Sequence, residues 1–186
     1  MTPGSKHLAN NPRLFEVQRA NNFELQVMDI DDLVAIDQTL LDDETRNLKN
    51  GGEILRLACD ESSVPSFSQK VIDIHYGNNA YHFAGKPTFK NHEIKVIDYI
   101  GANSKGILLA WQKKSYDVRT ENIGRAAEYK KTAYLVEKTP DDEVVRTWTL
   151  HGCWIQNLDH DNFQQSSDNA KVMNCTIVYD YFTIDD

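Results

Sequence analysis

The sequence has no apolar run approaching the about 20 residues that span a bilayer. Met1 to Asn11 is polar and carries no apolar stretch of the signal-peptide kind. The expectation is a protein that is neither secreted nor membrane-spanning. Cysteine is scarce: Cys59, Cys153 and Cys175 lie far apart with no CxxC pair, which argues against a zinc site or a disulfide framework. They read as small buried apolar residues, or as one partner of a disulfide to a neighbouring subunit. No glycine-rich phosphate loop follows a strand, since Asn50-Gly51-Gly52 is too short, and no GxSxG elbow occurs. Basic charge is also short. Lys and Arg number 20 against 28 Asp and Glu, a net charge of -8. That balance opposes a protein that clings to nucleic acid but suits one that nucleic acid passes without sticking.

Candidate catalytic groups do not assemble either. His7, His75, His82, His92, His151 and His160 show no metal-ligand spacing. Asp141-Asp142-Glu143 reads as a solvated turn, and Asp159-His160-Asp161 has carboxylates beside a base but no neighbouring nucleophile. The expectation is no enzyme, no cofactor and no metal.

What remains is a chain of 186 residues and 21.3 kDa, 40% hydrophobic and 26% charged, in the globular range. A chain this long buries roughly 70% of its unfolded surface. Asn11-Pro12 opens a short helix with Leu14, Phe15 and Val17 on its apolar side. Asn22 to Ile30 alternates, with Phe23, Leu25 and Val27 on one face, and predicts a half-buried strand. Asp31 to Asn50 has Leu33, Ile36, Leu40 and Leu48 near helical spacing, with Gly51-Gly52 as a C-cap. It predicts an inserted helix or helical hairpin. Seven acids against two bases between Asp29 and Lys49 make this a solvated acidic face or a partner-docking surface.

Strands are predicted over Glu53 to Asp60, Phe67 to Tyr76, Ala80 to Ala84 (closed by Gly85) and His92 to Tyr99. Ser104 to Ser115 switches to helical period, with Ile107, Leu108 and Trp111 on one side. A polar loop over Val118 to Arg125 precedes a strand from Lys130 to Glu137, a turn at Thr139 to Asp142 and a strand from Val144 to Ile155. The last strand, Lys171 to Thr183, has 13 residues and would reach about 40 Å. Such lengths suggest a sheet running the domain's full height. Exposed edges of such a sheet need a cover, and the next subunit of a ring is one way to supply it. Trp111, Trp148, Trp154, Tyr179, Tyr181 and Phe182 are expected in the core or an interface. Six bases against three acids between Lys113 and Lys131 contrast with nine acids against two bases from Asp141 onward. Opposite patches of this kind permit head-to-tail contacts.

Glu128-Tyr129-Lys130-Lys131 opening a strand, then Gly152-Cys153-Trp154, then Tyr179-Asp180-Tyr181-Phe182 near the C-terminus resemble the tail tube proteins of contractile-tailed, T-even-like bacteriophages. Arg19 to Phe23, Cys59 to Pro65, Ala84-Gly85 with Phe89, and Trp111 fit the family pattern in order. The resemblance covers residues 12 to 183 except Asp31 to Gly52. Ile155 stands where the family often has proline, and Asp31 to Gly52 lies where a short hairpin turn is common.

The resemblance implies a mainly β chain: a β-sandwich or barrel-like tail-tube fold with one flanking helix and an inserted helical segment. Residues 1–21 would be an N-terminal segment, and 22–186 one tail-tube domain with an insertion over 31–52. It implies hexameric rings stacked into a tube in the virion tail, assembled in the host cytoplasm, with sheath and baseplate partners and DNA passing through the lumen. A tube-initiating or terminating baseplate protein, or the tube of a phage-like injection or type VI secretion device, stays open beside the main tube subunit. A small β-barrel ligand-binding module is the alternative of another class. By the same analogy, ring stacking falls to Asp60, Glu61, Ser62, Val64 and Pro65 and to Arg125, Glu128, Tyr129, Lys130 and Lys131. Glu53 to Cys59 and Phe67 to Tyr76 would line the inner wall, with negative potential in the lumen.

Overall fold

Helix and strand alternate as buried side chains demand in the computed structural model, which describes residues 17–30, 51–160 and 169–185. The helix expected after Asn11, the Asp31 to Asn50 segment and residues 161–168 lie outside the described residues. In chain order the elements are β1 (Phe23–Val27), α1 (Gly51–Ala58), β2 (Cys59–Ser62), β3 (Phe67–Tyr76), β4 (Asn79–Phe89) and β5 (His92–Ile97). Then come α2 (Ser104–Ser115), β6 (Tyr116–Asp117), β7 (Asn122–Ile123), α3 (Ala126–Tyr129), β8 (Lys131–Lys138), β9 (Val144–His160), β10 (Val172–Val178) and β11 (Tyr181–Asp185). The chain is mainly β, with one large sheet and few helices, as the sequence indicated.

Seven strands form one antiparallel sheet in the order β1-β8-β9-β10-β5-β2, with β11 also on β9. Its terminal strands β1 and β2 come within contact of each other, so the sheet curls nearly closed. Leu25 and Val27 of β1, Ala133 and Leu135 of β8, Leu150 and Ile155 of β9, and Met173 and Ile177 of β10 point into the core. Helices α1 and α2 complete it with Ile54, Leu55, Ile107, Leu108 and Trp111. Removing such side chains from water is the main stabilising term, about 1.5–3 kcal/mol for each large one.

Three sequence expectations are corrected. Glu53 to Asp60 is not a strand: Gly51 to Ala58 is helical, and only Cys59 onward is extended. Ile54, Leu55 and Ala58 are buried at i, i+1 and i+4, a helical spacing, whereas a strand would have sent Ile54 and Leu55 to opposite faces. Gly51-Gly52 is therefore helical, not the left-handed cap that the sequence suggested. Arg56 then reaches Glu24 of β1, and Lys138 reaches the same carboxylate at 2.7 Å. Burial pushes the Glu24 carboxyl up, but the bonds from Lys138 and Arg56 more than offset it and hold it below the ordinary value. The polar loop over Val118 to Arg125 is not all loop: Asn122–Ile123 within it forms β7, which pairs with β6 just before it as a small hairpin.

The last strand is the third correction. It is two strands, β10 and β11, broken at Tyr179-Asp180. Yet the register does not slip across the break: Val178 opposes Trp154, and Tyr181 opposes His151. The ribbon kinks as a unit where β9 passes Gly152, whose φ is 71°. A Cβ at Gly152 would collide with the Asp180 carboxylate, which is held in place by Lys130 Nζ at 2.7 Å. Only glycine meets both demands, a left-handed backbone and no side chain.

Strand β5 carries a buried histidine. His92 is 1% exposed, with Nε2 3.1 Å from Ser62 Oγ and Nδ1 3.4 Å from Ser63 Oγ. Burial lowers its pKa from 6.5 to about 4. The neutral ring can donate to one hydroxyl and accept from the other, so it ties the chain leaving β2 to the core.

Gly152→Ala should lower stability by about 2 kcal/mol, seen as a lower urea midpoint at unchanged slope. An unchanged midpoint would mean that the kink does not need glycine. For His92 the folded pKa lies below the unfolded one, so the unfolded chain binds the extra proton between about pH 4 and 6.5. Stability should therefore fall as pH drops through that window, by up to roughly 3 kcal/mol. His92→Asn should flatten this part of the stability–pH curve, and a variant with the wild-type slope there would refute the assignment.

Candidate functional site

Strands β3 and β4 pair only with each other among the described residues. All ten residues of β3 are exposed, as are nine of the eleven of β4. At about 3.4 Å per residue this ribbon projects roughly 33 Å from the curled sheet. It is nonetheless an extension of that sheet. Strands β2 and β5 pair first, Ser63 N donates to Glu93 O at 2.8 Å, Lys90 N donates to Ser66 O at 2.9 Å, and the pairing resumes at Phe67 opposite Phe89.

The sequence pattern gives the arm two unlike faces. Opposed residues on an antiparallel pair project from the same face. Ile72 opposes Phe83, Ile74 opposes Tyr81 and Tyr76 opposes Asn79, giving an apolar, aromatic face. Val71 opposes Ala84, Asp73 opposes His82 and His75 opposes Ala80, giving a smaller, more polar one. On the polar face His82 Nδ1 lies 2.6 Å from the Asp73 carboxylate. Gly77-Asn78 makes the two-residue turn at the tip, with Gly77 at a φ of 61°. Strand β4 runs past Gly85, where the sequence predicted its end. Gly85 and Lys86 form a bulge opposite Lys70, and a Cβ at Gly85 would strike the Lys70 carbonyl.

The base of the arm is fixed rather than loose. Phe67 and Phe89 join Tyr179, Phe182 and Trp148 in a cluster with ring centroids 5.7–6.1 Å apart. Tyr179 Oη donates to Ser66 O at 3.3 Å. The arm thus springs from the same Tyr179-Asp180 kink that bends the long ribbon.

The ten residues expected to stack rings fall into two separate groups. Asp60, Glu61 and Ser62 lie on or beside the edge of β2, with Glu61 on Lys95 at 2.7 Å, holding that ammonium above its ordinary pKa. Val64 is exposed and Pro65 buried. Arg125 and Glu128 are exposed on and before α3, whereas Tyr129 packs edge-on to Trp154 and its carbonyl accepts from Trp111 Nε1 at 2.8 Å. Lys131 starts β8. Register places Lys131 beside Cys153, Trp154 beside Val178 and His92 beside Ile177, so both groups sit at one level of the sheet. Four interstrand steps, about 19 Å along the sheet, separate β2 from β8. Lys130 pairs with Asp180, so the basic middle and acidic end of the chain meet here within one subunit.

The remaining sequence candidates are dispersed. His75 and His82 are on the arm, His92 is in the core, His151 stacks on Tyr181 with centroids 4.5 Å apart, and His160 ends β9. Cys153 and Cys175 are buried and Cys59 half-buried, and burial pushes all three thiols up to about 12. Trp111 and Tyr179 are core residues, Trp148 and Phe182 pack against the core, and Tyr181 is exposed. No described helix is long and apolar enough to cross a membrane. The sequence reading found β3 but missed the arm as an amphipathic unit. The alternating Ile72-Ile74-Tyr76 and Tyr81-Phe83 about Gly77-Asn78 was the available signal.

No protein-family model and no curated protein matches this sequence. Solved structures do match. A chain of the sheath–tube complex of an extracellular contractile injection system, in its extended state, superposes with a TM-score of 0.64 over 99% of each chain at 14% identity. A chain of the sheath/tube terminator of such a system gives 0.63 at 15% identity, covering 91% of this chain and 97% of that one. The tube-terminating cap of the anti-feeding prophage gives 0.63 at 13% identity, covering 91% of each. These neighbours belong to injection devices, and the narrower likeness to T-even-like phage tubes rests on the motifs alone. At such identities the common property is the fold: this chain has the curled, mainly β fold found in chains of contractile injection machines.

Proposed function

We propose that the chain is a structural, non-catalytic subunit that assembles with copies of itself into the rings of a tube within a contractile machine. The observation that carries this reading is the arm. A ribbon of two strands with an apolar face and unpaired edges is not stable alone in water. The rigid aromatic base holds it ready for a neighbour, and the shared fold supports another copy of this chain as that neighbour. Sheath, baseplate or terminator proteins would then be partners by analogy with the similar chains.

Within this reading residues 22–186 act as one tube domain and rings are hexameric. The wall assignment narrows to the arm, Phe67 to Tyr76 with β4. Glu53 to Cys59 is dropped because Ile54, Leu55 and Ala58 are buried in a helix. The groups around Asp60 to Pro65 and Arg125 to Lys131 remain the proposed stacking contacts, because they sit at one level and keep Asp60, Glu61, Val64, Arg125 and Glu128 exposed. The net charge of -8 belongs to the chain as a whole, while the arm carries Lys70 and Lys86 against Asp73; with so few cations a polyanion such as DNA would still pass without being strongly gripped. A phage tail is one setting and an injection device another. A terminator or cap role is the second reading, favoured by the near-equal likeness to the terminator and cap chains.

Purified protein should form rings or short tubes under negative stain, with sixfold class averages. A protein that stays monomeric at high concentration would overturn the proposal. Capped rings that never stack would favour the terminator reading.

A further inference from the structure

Strand β9 outruns its neighbour. Strand β8 ends its pairing at Lys131 opposite Cys153, while β9 continues to His160. Beyond Cys153 no described strand pairs with β9 on that side, although β10 follows it to His160 on the other. Among the described residues, the edge of β9 on its β8 side is therefore unpaired along Trp154 to His160. Beside that edge lies a groove of about 720 Å³ between β9, the C-terminal half of α2 and β6. Leu109, Tyr116, Val118, Trp154 and Ile155 give it an apolar floor, with Lys113, Asp117 and Arg119 among the polar residues around it. Val118 is 80% exposed at its rim.

We propose that this groove receives the arm of a second copy of this chain. The inference rests on the tube-subunit reading and names the contact that joins one subunit to the next. The arm offers what that edge lacks. It has a free strand edge to donate and accept main-chain hydrogen bonds, and ten residues of β3 against the seven of β9 that are unpaired on that side. Its apolar face, Ile72, Ile74, Tyr76, Tyr81 and Phe83, matches the apolar floor, and Tyr76 at 80% exposure has no cover in its own subunit. Such a face is about 33 Å long and about 10 Å wide. That is small beside the roughly 800 Å² per partner of a standard stable interface. A single arm-in-groove contact is therefore weak. Each copy both gives and receives an arm, so the contact is head-to-tail, and closing a ring doubles the area buried per subunit. With the apolar face seated, the face carrying Asp73, His75 and His82 is left outward, toward the lumen.

Head-to-tail contacts have a distinctive test. Ile74→Arg spoils the arm but leaves the groove, and Val118→Arg spoils the groove but leaves the arm. Both sites are exposed, so both variants should fold, which circular dichroism and the wild-type melting temperature would verify. Each alone should be monomeric by light scattering. Mixed in equal amounts they should form a two-chain complex and nothing larger, because one intact arm meets one intact groove. If Val118→Arg assembles as the wild type does, the arm docks elsewhere and the proposal fails while the tube reading stands. If the wild type itself never assembles, both fail together. As a positional check, Ile74→Cys with Val118→Cys should give a ladder of oxidised multimers on a denaturing gel. Ile74→Cys with Ile184→Cys on β11 should not, and the reverse result would move the contact to that edge.

Discussion

A two-stranded ribbon has two edges and two faces, and its own fold covers none of them. Here such a ribbon carries Ile72, Ile74, Tyr76, Tyr81 and Phe83 on one side, each at least half exposed. Its length is about 33 Å, too long to be a fraying loop tip. The pairing that joins it to β2 and β5 makes it continuous with the main sheet. The aromatic cluster at Phe67, Phe89, Tyr179, Phe182 and Trp148 sets its angle. Each ring pair adds roughly 0.5–1.5 kcal/mol beyond burial, so the base stays ordered while the shaft remains exposed. An arm fixed in this way loses little further conformational freedom when it docks, which favours binding.

The kink at Gly152 and Asp180 places that base. It bends β9 and its partner ribbon together: β10 lies between β9 and β5, and β11 continues along that same edge of β9, opposite β8. Lys130 bound to Asp180 brings the start of β8 to the same point. Arm, kink and the loop before β8 thus meet around one left-handed glycine. Strand β8 begins only at Lys131, after α3, so β9 runs on past it with that edge unpaired among the described residues from Trp154 onward.

Much of this was legible in the residues. Alternation identified β1 and β5, and the period change at Ser104 identified α2 to the residue, because burial of one face imposes those periods. The segment Gly51 to Ala58 was misread because eight residues hold barely two helical turns, and Ile54 with Leu55 fits a buried strand as well as a helix. Gly85 was misread as a stop because a bulge and a strand end use the same residue for the same reason, the absence of a Cβ. The ten stacking candidates were placed by motif, and their division between β2 and the loop before β8 depends on strand order, which no local pattern encodes.

By itself the sequence determined the class of structure: mainly β, acidic, with long alternating strands and without the spacing of any common catalytic or metal motif. Local periodicity suffices for that, since each residue's environment repeats over two or four neighbours. Only the tertiary structure decided that β3 and β4 leave the sheet together, that His92 is buried between Ser62 and Ser63, and that no described strand flanks β9 on its β8 side beyond Cys153. Those outcomes depend on which distant strand lies alongside, a matter of packing between segments as far apart as Ser66 and Tyr179.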